Sequence, residues 1–362
     1  MADIRFIRTA YNYADFSTSV SPAIELALEC RQAPDTVVLN IFDGDSFTVG
    51  YFDDPVKSMD LDFCRRENII VRRRQNGGGA VLGAHGCAFL VFYLDTDHER
   101  APMKTIRDAF GLTLPRLSHS IRDLFGVDAV HRPLNDVEVA GRKIVASSAR
   151  MEKKILTIRC MINVCPTDRG VMDRAIRVAP EKIKDKKIKG VGRRFTCLNE
   201  ELGRNVTEKE LLDLTQSTVH GLFGPSLTLV PSAVSAVENA YSEAYQKRYT
   251  SDDWFFANSE IRRFKKIPRG SIKKEGRHKA LAGLIRFTLL IKDNTVCDII
   301  ITGDFHPAPN TVLTEMENAI RHMKCDSHLI ARAVTDIFNR DDVEITGTTP
   351  ADFISAFEKA LK

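Results

Sequence analysis

The residues best equipped for chemistry fall in three places. The first is the run IIVRRRQNGGGAVLGAHGCAFLVF from Ile69 to Phe92, where three arginines meet three consecutive glycines between two apolar segments. Gly77, Gly78 and Gly79 carry no side chains, so a ligand can approach their backbone closely and N–H groups can face an anion. If the β-branched entry Ile69–Val71 continues as a strand, Arg72, Arg73 and Arg74 alternate faces, and at least one points at what the loop cradles. The second place is Pro133 to Cys165, where Asn135, Asp136 and Lys143 fall on or beside strands expected to share a sheet with the glycine loop. The third is KIKDKKIKGVGRR, Lys182 to Arg194, whose seven basic residues and glycines suit a loop closing on phosphate.

Together these residues fit a substrate with two anionic groups. Lysine is a point cation able to sit between a carboxylate oxygen and a phosphate, where charge develops during acyl transfer. Asp136 is the candidate ligand for a magnesium ion. Activation of a carboxylic acid by ATP would use this set. Phosphoryl transfer or simple anion binding would use it too, and the residue types alone do not choose.

Composition narrows the class. At 362 residues, the length suits roughly two or three domains. Hydrophobic content of 43% beside 28% charged residues describes a globular chain able to bury a core. The net charge of +4 favours no polyanion, so nucleic acid is not an expected partner. No apolar run approaches membrane-spanning length, and the N-terminus has no apolar h-region. A cytoplasmic monomer is expected, or a mitochondrial-matrix one if the source is eukaryotic. The eight cysteines include no CxxC pair, which argues for reduced thiols rather than a zinc site.

The elements that must hold these residues can be read in part. Ser21-Pro22 is expected to open a helix, with Ser21 as N-cap. Thr36–Phe42 and Ser46–Tyr51 read as paired strands around Asp43-Gly44-Asp45. Met103–Leu124 reads as a long helix, broken or kinked near Pro115 and ended by Gly126. Ala140-Gly141 reads as a turn between strands. Thr207 and Glu210 form a capping box, and Pro231–Arg248 is expected to be helical. A boundary near 250–253 separates residues 1–250 from a second αβ unit, 253–362, with a hairpin around Asp293-Asn294 and three helices.

With these residues set out, a family resemblance can be named. Arg73-Arg74-Gln75-Asn76-Gly77-Gly78-Gly79-Ala80-Val81 is similar to the RRxSGGGAV signature of lipoate–protein ligases, of the biotin/lipoate ligase superfamily. Asn135-Asp136-Val137, Gly141-Arg142-Lys143-Ile144 and Ala146-Ser147 resemble the second motif, ND(I/L)…GRKIxGSA. Lys189-Gly190-Val191, with Arg194, Thr196 and Leu198, is similar to KSVxSRVTNL. Gly303-Asp304-Phe305 resembles the GDF of a small C-terminal accessory domain.

The resemblance implies an α/β (α+β) fold: a mixed-sheet, biotin/lipoate ligase-like catalytic domain with a small C-terminal α+β accessory domain. It also implies a two-step ligase. Lipoate and ATP, with Mg2+, would form lipoyl-adenylate, and the acyl group would pass to a lysine of a lipoyl-carrier protein. Lys143 would contact the lipoyl carbonyl and the α-phosphate as the catalytic residue. Arg73, Arg74, Gly77, Gly78, Gly79, Ala80, Val81, Asn135, Asp136 and Ser147 would bind substrate and adenylate, with Asp136 also the metal ligand.

The chain departs from the family pattern at Leu82–Cys87, where HDxGN is usual, and at Gly50–Asp54. An ATP-independent octanoyl or lipoyl transferase would need a cysteine nucleophile. Cys87 is the one candidate near the loop, although a buried thiol is the plainer reading of it. Lys143 alone would pass for a solvated turn residue. A non-catalytic protein binding an anion or partner is the alternative from a different class, and a biotin ligase would carry a GRGRxGR-like loop that this chain lacks.

Overall fold

The structure, a computed structural model, describes residues 3–177 and 192–362. The basic run Lys182–Val191, with the Lys189-Gly190-Val191 motif, lies outside the described residues.

An eight-stranded mixed sheet carries the first core. Its order is Thr228–Ser232, Asp3–Thr9, Thr36–Ile41, Ala88–Asp95, Ile155–Ile162, Arg142–Glu152, Asp136–Val139, Val130–Arg132. The first two pairings are parallel and the rest antiparallel. Ala88–Asp95 is apolar on both faces because helices or loops cover both sides, so its residues read as a continuous run rather than an alternation. The helix Ile106–Phe125 packs on one face, capped by a Thr105–Asp108 box and ended by Gly126 at φ 67°. It runs through Pro115 without interruption.

A second, three-stranded sheet holds the glycine loop. Ser46–Val49 is central, parallel to Ile70–Arg73 and antiparallel to Val81–Gly83. The expected hairpin of residues 36–51 therefore does not form: Asp43-Gly44-Asp45 carries the chain from one sheet to the other. Likewise the segments flanking the glycines do not pair with each other. They grip the same central strand from its two sides, and Ala88–Asp95 returns to the large sheet. Asn135, Asp136 and Lys143 lie on or beside strands of the large sheet, so they face the loop across a gap rather than sharing its sheet.

Two further expectations are corrected. Ser21 does not cap a helix start, because the chain is already helical from Tyr13 through a π-helical turn at Phe16–Val20. Its hydroxyl instead receives Nη2 of Arg159 at 2.6 Å and the Tyr93 hydroxyl at 2.6 Å. Pro231 lies in a strand, with the helix starting only at Ala236. That strand is the sheet's edge, where a missing N–H costs little.

The C-terminal unit stacks an antiparallel sheet, Ile272–Lys279, Leu284–Lys292 and Thr295–Gly303, against the helices Val312–Ile320, Ser327–Phe338 and Pro350–Leu361. Asp293 and Asn294 take positive φ at the expected hairpin turn. Its core also receives Phe52 from the first unit, which is 4% exposed and stacks near Phe305. Backbone bonds reinforce the junction, with the Gly303 N–H donating to the Phe52 carbonyl at 3.0 Å.

Candidate active site

A cavity of about 610 Å3 opens where the two sheets and the C-terminal unit meet. The glycine loop forms one side through Arg74, Gly78, Gly79, Ala80 and Val81. Asn135, Asp136, Lys143 and Ser147 line the facing side. Thr167, Met172, Arg194 and Phe195 border it from the segment around the undescribed residues, and Lys279, Ala282 and Asp304 come from the C-terminal unit.

The Lys143 side is built on a tight hairpin. Ala140 and Gly141 both take positive φ, which reverses the chain between Asp136–Val139 and Arg142–Glu152. That register sets Lys143 Nζ 2.7 Å from Asp136 Oδ1. The Phe195 ring lies 5.8 Å from the ammonium, and the Thr196 N–H donates to the Lys143 carbonyl at 3.0 Å. The lysine is thus held at three points while its side chain stays partly open to the cavity. Asn135 and Ser147 brace each other: the Asn135 amide donates to the Ser147 carbonyl, and the Ser147 hydroxyl donates to the Asn135 carbonyl, each at 2.8 Å. Both side chains fix the strand pair more than they reach for a ligand.

The arginines divide their work. Arg74 is buried and lines the cavity, donating to the Gly77 and Gly79 carbonyls at 2.6 and 2.9 Å and to the Thr48 hydroxyl at 2.9 Å. It shapes the loop from beneath. Arg73 does not line the cavity. It alternates to the other face and donates to the carbonyls of Phe255, Gly50, Tyr51 and Asp53 at 2.5–3.1 Å, tying the inter-unit segment to the small sheet. Gly77 also stays outside the lining, packed against the Phe305 carbonyl.

Below the loop, Arg159 reaches the Asn76 side chain and Ser21. Burial lowers the pKa of both Arg74 and Arg159, and at Arg74 the nearby Arg159 charge lowers it further. Asp53, which lines the cavity, acts on Arg74 and favours its charged form. Two buried guanidinium groups against that one carboxylate leave the loop side of the cavity electropositive.

Arg159, Asn163, Arg177 and Lys279 were not singled out from the sequence. Arg159 is the one charged residue of the strand Ile155–Ile162, and that buried charge was the available signal. Lys279 ends a strand of a different unit, so nothing local marked it. His85 is exposed and does not line the cavity; its N–H donates to Asp45. Cys87 is 1% exposed, and burial pushes its thiol up to about 12.

A mixed-sheet domain with an electropositive glycine cradle facing a lysine–aspartate pair defines a class of enzymes that handle an activated or activatable acyl group. Residues 24–219 match the family model described as "Lipoyl protein ligase A/B catalytic domain". The chain belongs to that family. It is 23% identical to lipoate–protein ligase 2 of Staphylococcus aureus (strain Mu50), over 71% of this chain and 72% of that protein. It is 24% identical to the octanoyltransferase LipM of Geobacillus kaustophilus, over 70% of this chain but 97% of LipM. Among solved structures, P. falciparum LipL1 in complex with lipoate matches with a TM-score of 0.68 at 13% identity, covering 95% of this chain and 96% of that one. The relatives thus include both ligases and transferases, and the fold is that of lipoate ligases with an additional C-terminal unit.

Proposed function

We propose that the protein is an ATP-dependent lipoate–protein ligase. The observation that carries this reading is the cavity's make-up: it presents Lys143 with Asp136 opposite an electropositive glycine loop, and among the described residues its lining contains no cysteine. A cysteine-dependent transfer needs an accessible thiolate. Cys87 is shut off from the cavity and held as a thiol by burial. The C-terminal unit contributes to the cavity wall through Lys279, Ala282 and Asp304.

In the first step, the lipoate carboxylate attacks the α-phosphorus of ATP, an acyl–phosphate bond forms, and pyrophosphate leaves. Lys143 places its ammonium where the carboxylate oxygen and α-phosphate oxygens gather negative charge, and Asp136 keeps it there. Arg74 and the glycine loop offset the phosphate charge. In the second step, the amine of a carrier-protein lysine attacks the acyl carbonyl, AMP leaves, and a proton is lost from the nitrogen.

Magnesium fits as an ion brought with the nucleotide. The described residues contain no group of three or more metal-ligating side chains, and Mg2+ is usually held by one or two carboxylates plus substrate phosphates. Asp136, which lines the cavity beside Lys143, would supply that carboxylate, and the ion would neutralise phosphate charge. The apolar lining from Val81, Leu82, Met161 and Met172 suits an aliphatic chain. All eight cysteines are free thiols, in keeping with the proposed cytoplasmic or matrix setting.

Acid-dependent pyrophosphate exchange into ATP tests the reading, run with lipoate, octanoate and biotin. Exchange with lipoate supports it; transfer between carriers without ATP would replace it with the transferase reading. Cys87→Ala is expected to retain exchange within about twofold, and Cys87 should resist alkylation at pH 8 by virtue of its raised pKa. Abolished activity in that variant would return the thiol to the mechanism.

A further inference from the structure

One side chain of the C-terminal unit reaches into the glycine loop. His306 begins the short strand His306–Ala308 but is 2% exposed, packed against the first unit. Its Nδ1 lies 3.3 Å from the Ala149 carbonyl oxygen on the large sheet. Its ring meets Phe110 edge-on, with centroids 5.3 Å apart. It also abuts the loop: a Cβ on Gly77 would come within 3.1 Å of Nδ1, and one on Gly78 within 3.6 Å of Nε2. Just before it, the Phe305 carbonyl accepts from the Gly78 N–H at 3.4 Å. Arg74 holds the same loop through the Gly77 and Gly79 carbonyls.

The proton on this ring can be placed. A carbonyl only accepts, so Nδ1 carries the hydrogen. Burial, helped by Arg74, pushes the ring pKa down to about 4, so it is neutral and Nε2 is a bare acceptor. That buried Nε2 has no hydrogen-bond partner among the described residues. An apolar ring would fill the space without leaving an acceptor unmet. The imidazole therefore does something a phenyl would not: through Nδ1 it fastens the start of the C-terminal strand to the large sheet, at the point where Phe305 and Gly78 meet.

We propose that His306 is a positioning residue through which docking of the C-terminal unit holds the Gly77–Gly79 loop in the shape that lines the cavity for acyl activation. The loop is gripped by Arg74 from its own sheet and by the Phe305–His306 segment from the other unit. Without the second grip, the loop backbone that lines the cavity is held by Arg74 alone. The inference rests on the ligase reading for its consequence in catalysis, and on the contacts alone for its consequence in the loop.

The test compares His306→Phe, which keeps a ring but loses the donor, with His306→Asn, which keeps a donor near Nδ1. Amide hydrogen exchange over residues 74–82 is measured in the full chain, beside that of the strands Leu284–Lys292 and Thr295–Gly303. His306→Phe is expected to speed exchange in the loop about tenfold while the two strands stay protected, and His306→Asn to restore most of the protection. In pyrophosphate exchange, His306→Phe should lower kcat about tenfold with little change in the KM for ATP, while transfer from supplied acyl-adenylate stays within about twofold. Unchanged loop protection in His306→Phe would overturn the proposal, as would loosening of the C-terminal strands together with the loop and no rescue by asparagine. If the wild-type protein shows no pyrophosphate exchange, the ligase reading fails, and the loop measurement still decides the role of His306.

Discussion

Lys143→Ala is expected to lower lipoate-dependent pyrophosphate exchange on the order of a hundredfold to a thousandfold, about 2.7–4 kcal/mol of transition-state stabilisation, the range seen when one preorganised donor is removed from a developing charge. The loss should fall mainly on kcat, since the ammonium matters most as charge builds between carboxylate and phosphate. The fold should survive. The Lys143–Asp136 pair is partly exposed, and such pairs contribute about 0–1 kcal/mol. Lys143→Arg keeps the charge but replaces a compact ammonium with a longer planar fork, so it should recover only part of the rate. Circular dichroism melting of both variants separates the two effects: near wild-type melting with lost exchange is the expected outcome. Near wild-type exchange in Lys143→Ala would remove the lysine from the mechanism.

The second large effect is expected at Gly50. A Cβ there would overlap the carbonyl of Gly78, and that contact is backbone, which cannot rotate away. Gly50→Ala must therefore push the glycine loop off the strand end, costing about 1–3 kcal/mol as overpacking does. It should also disturb Arg73, which donates to the Gly50 carbonyl at 3.1 Å. Gly111 provides the contrast, because it sits in the helix Ile106–Phe125 with nothing within 4 Å of an added Cβ. Gly111→Ala should stabilise by about 0.5–1 kcal/mol through helix propensity and leave exchange unchanged. Urea denaturation midpoints that move in opposite directions for these two variants would bear out the crowding argument. A Gly50→Ala protein with wild-type midpoint and wild-type exchange would refute it.

The residues on the cavity were legible where local pattern carried them. Gly78, Gly79, Asp136 and Lys143 stand in short motifs whose spacing survives folding, and all line the same cavity. The turn at Ala140-Gly141 and the box at Thr207 were legible for the same reason: the hydrogen bonds that define them span three or four residues. What escaped was set at long range. The alternation Thr36–Phe42 and Ser46–Tyr51 looks like a hairpin because strand period says nothing about which sheet a strand joins. Arg73 and Arg74 look equivalent as neighbours, yet one strand residue's difference sends them to opposite faces, one to brace backbone and the other to shape the loop. Lys279 and His306 are 200 or more residues from the glycine loop in sequence, and only the docking of the C-terminal unit brings them beside it.

The central claim is that the acyl group is activated as a mixed anhydride with AMP before it meets the carrier. Lipoate carrying a heavy-oxygen label in its carboxylate tests this most directly, with ATP, Mg2+ and a lipoyl-carrier protein in a complete reaction. Acyl-adenylate chemistry leaves one carboxylate oxygen on the phosphate when the carrier amine expels AMP. The account predicts labelled AMP formed in step with lipoylated carrier, and both falling together by about a hundredfold to a thousandfold in Lys143→Ala. Lipoylated carrier appearing with unlabelled AMP, or with no AMP at all, would contradict it.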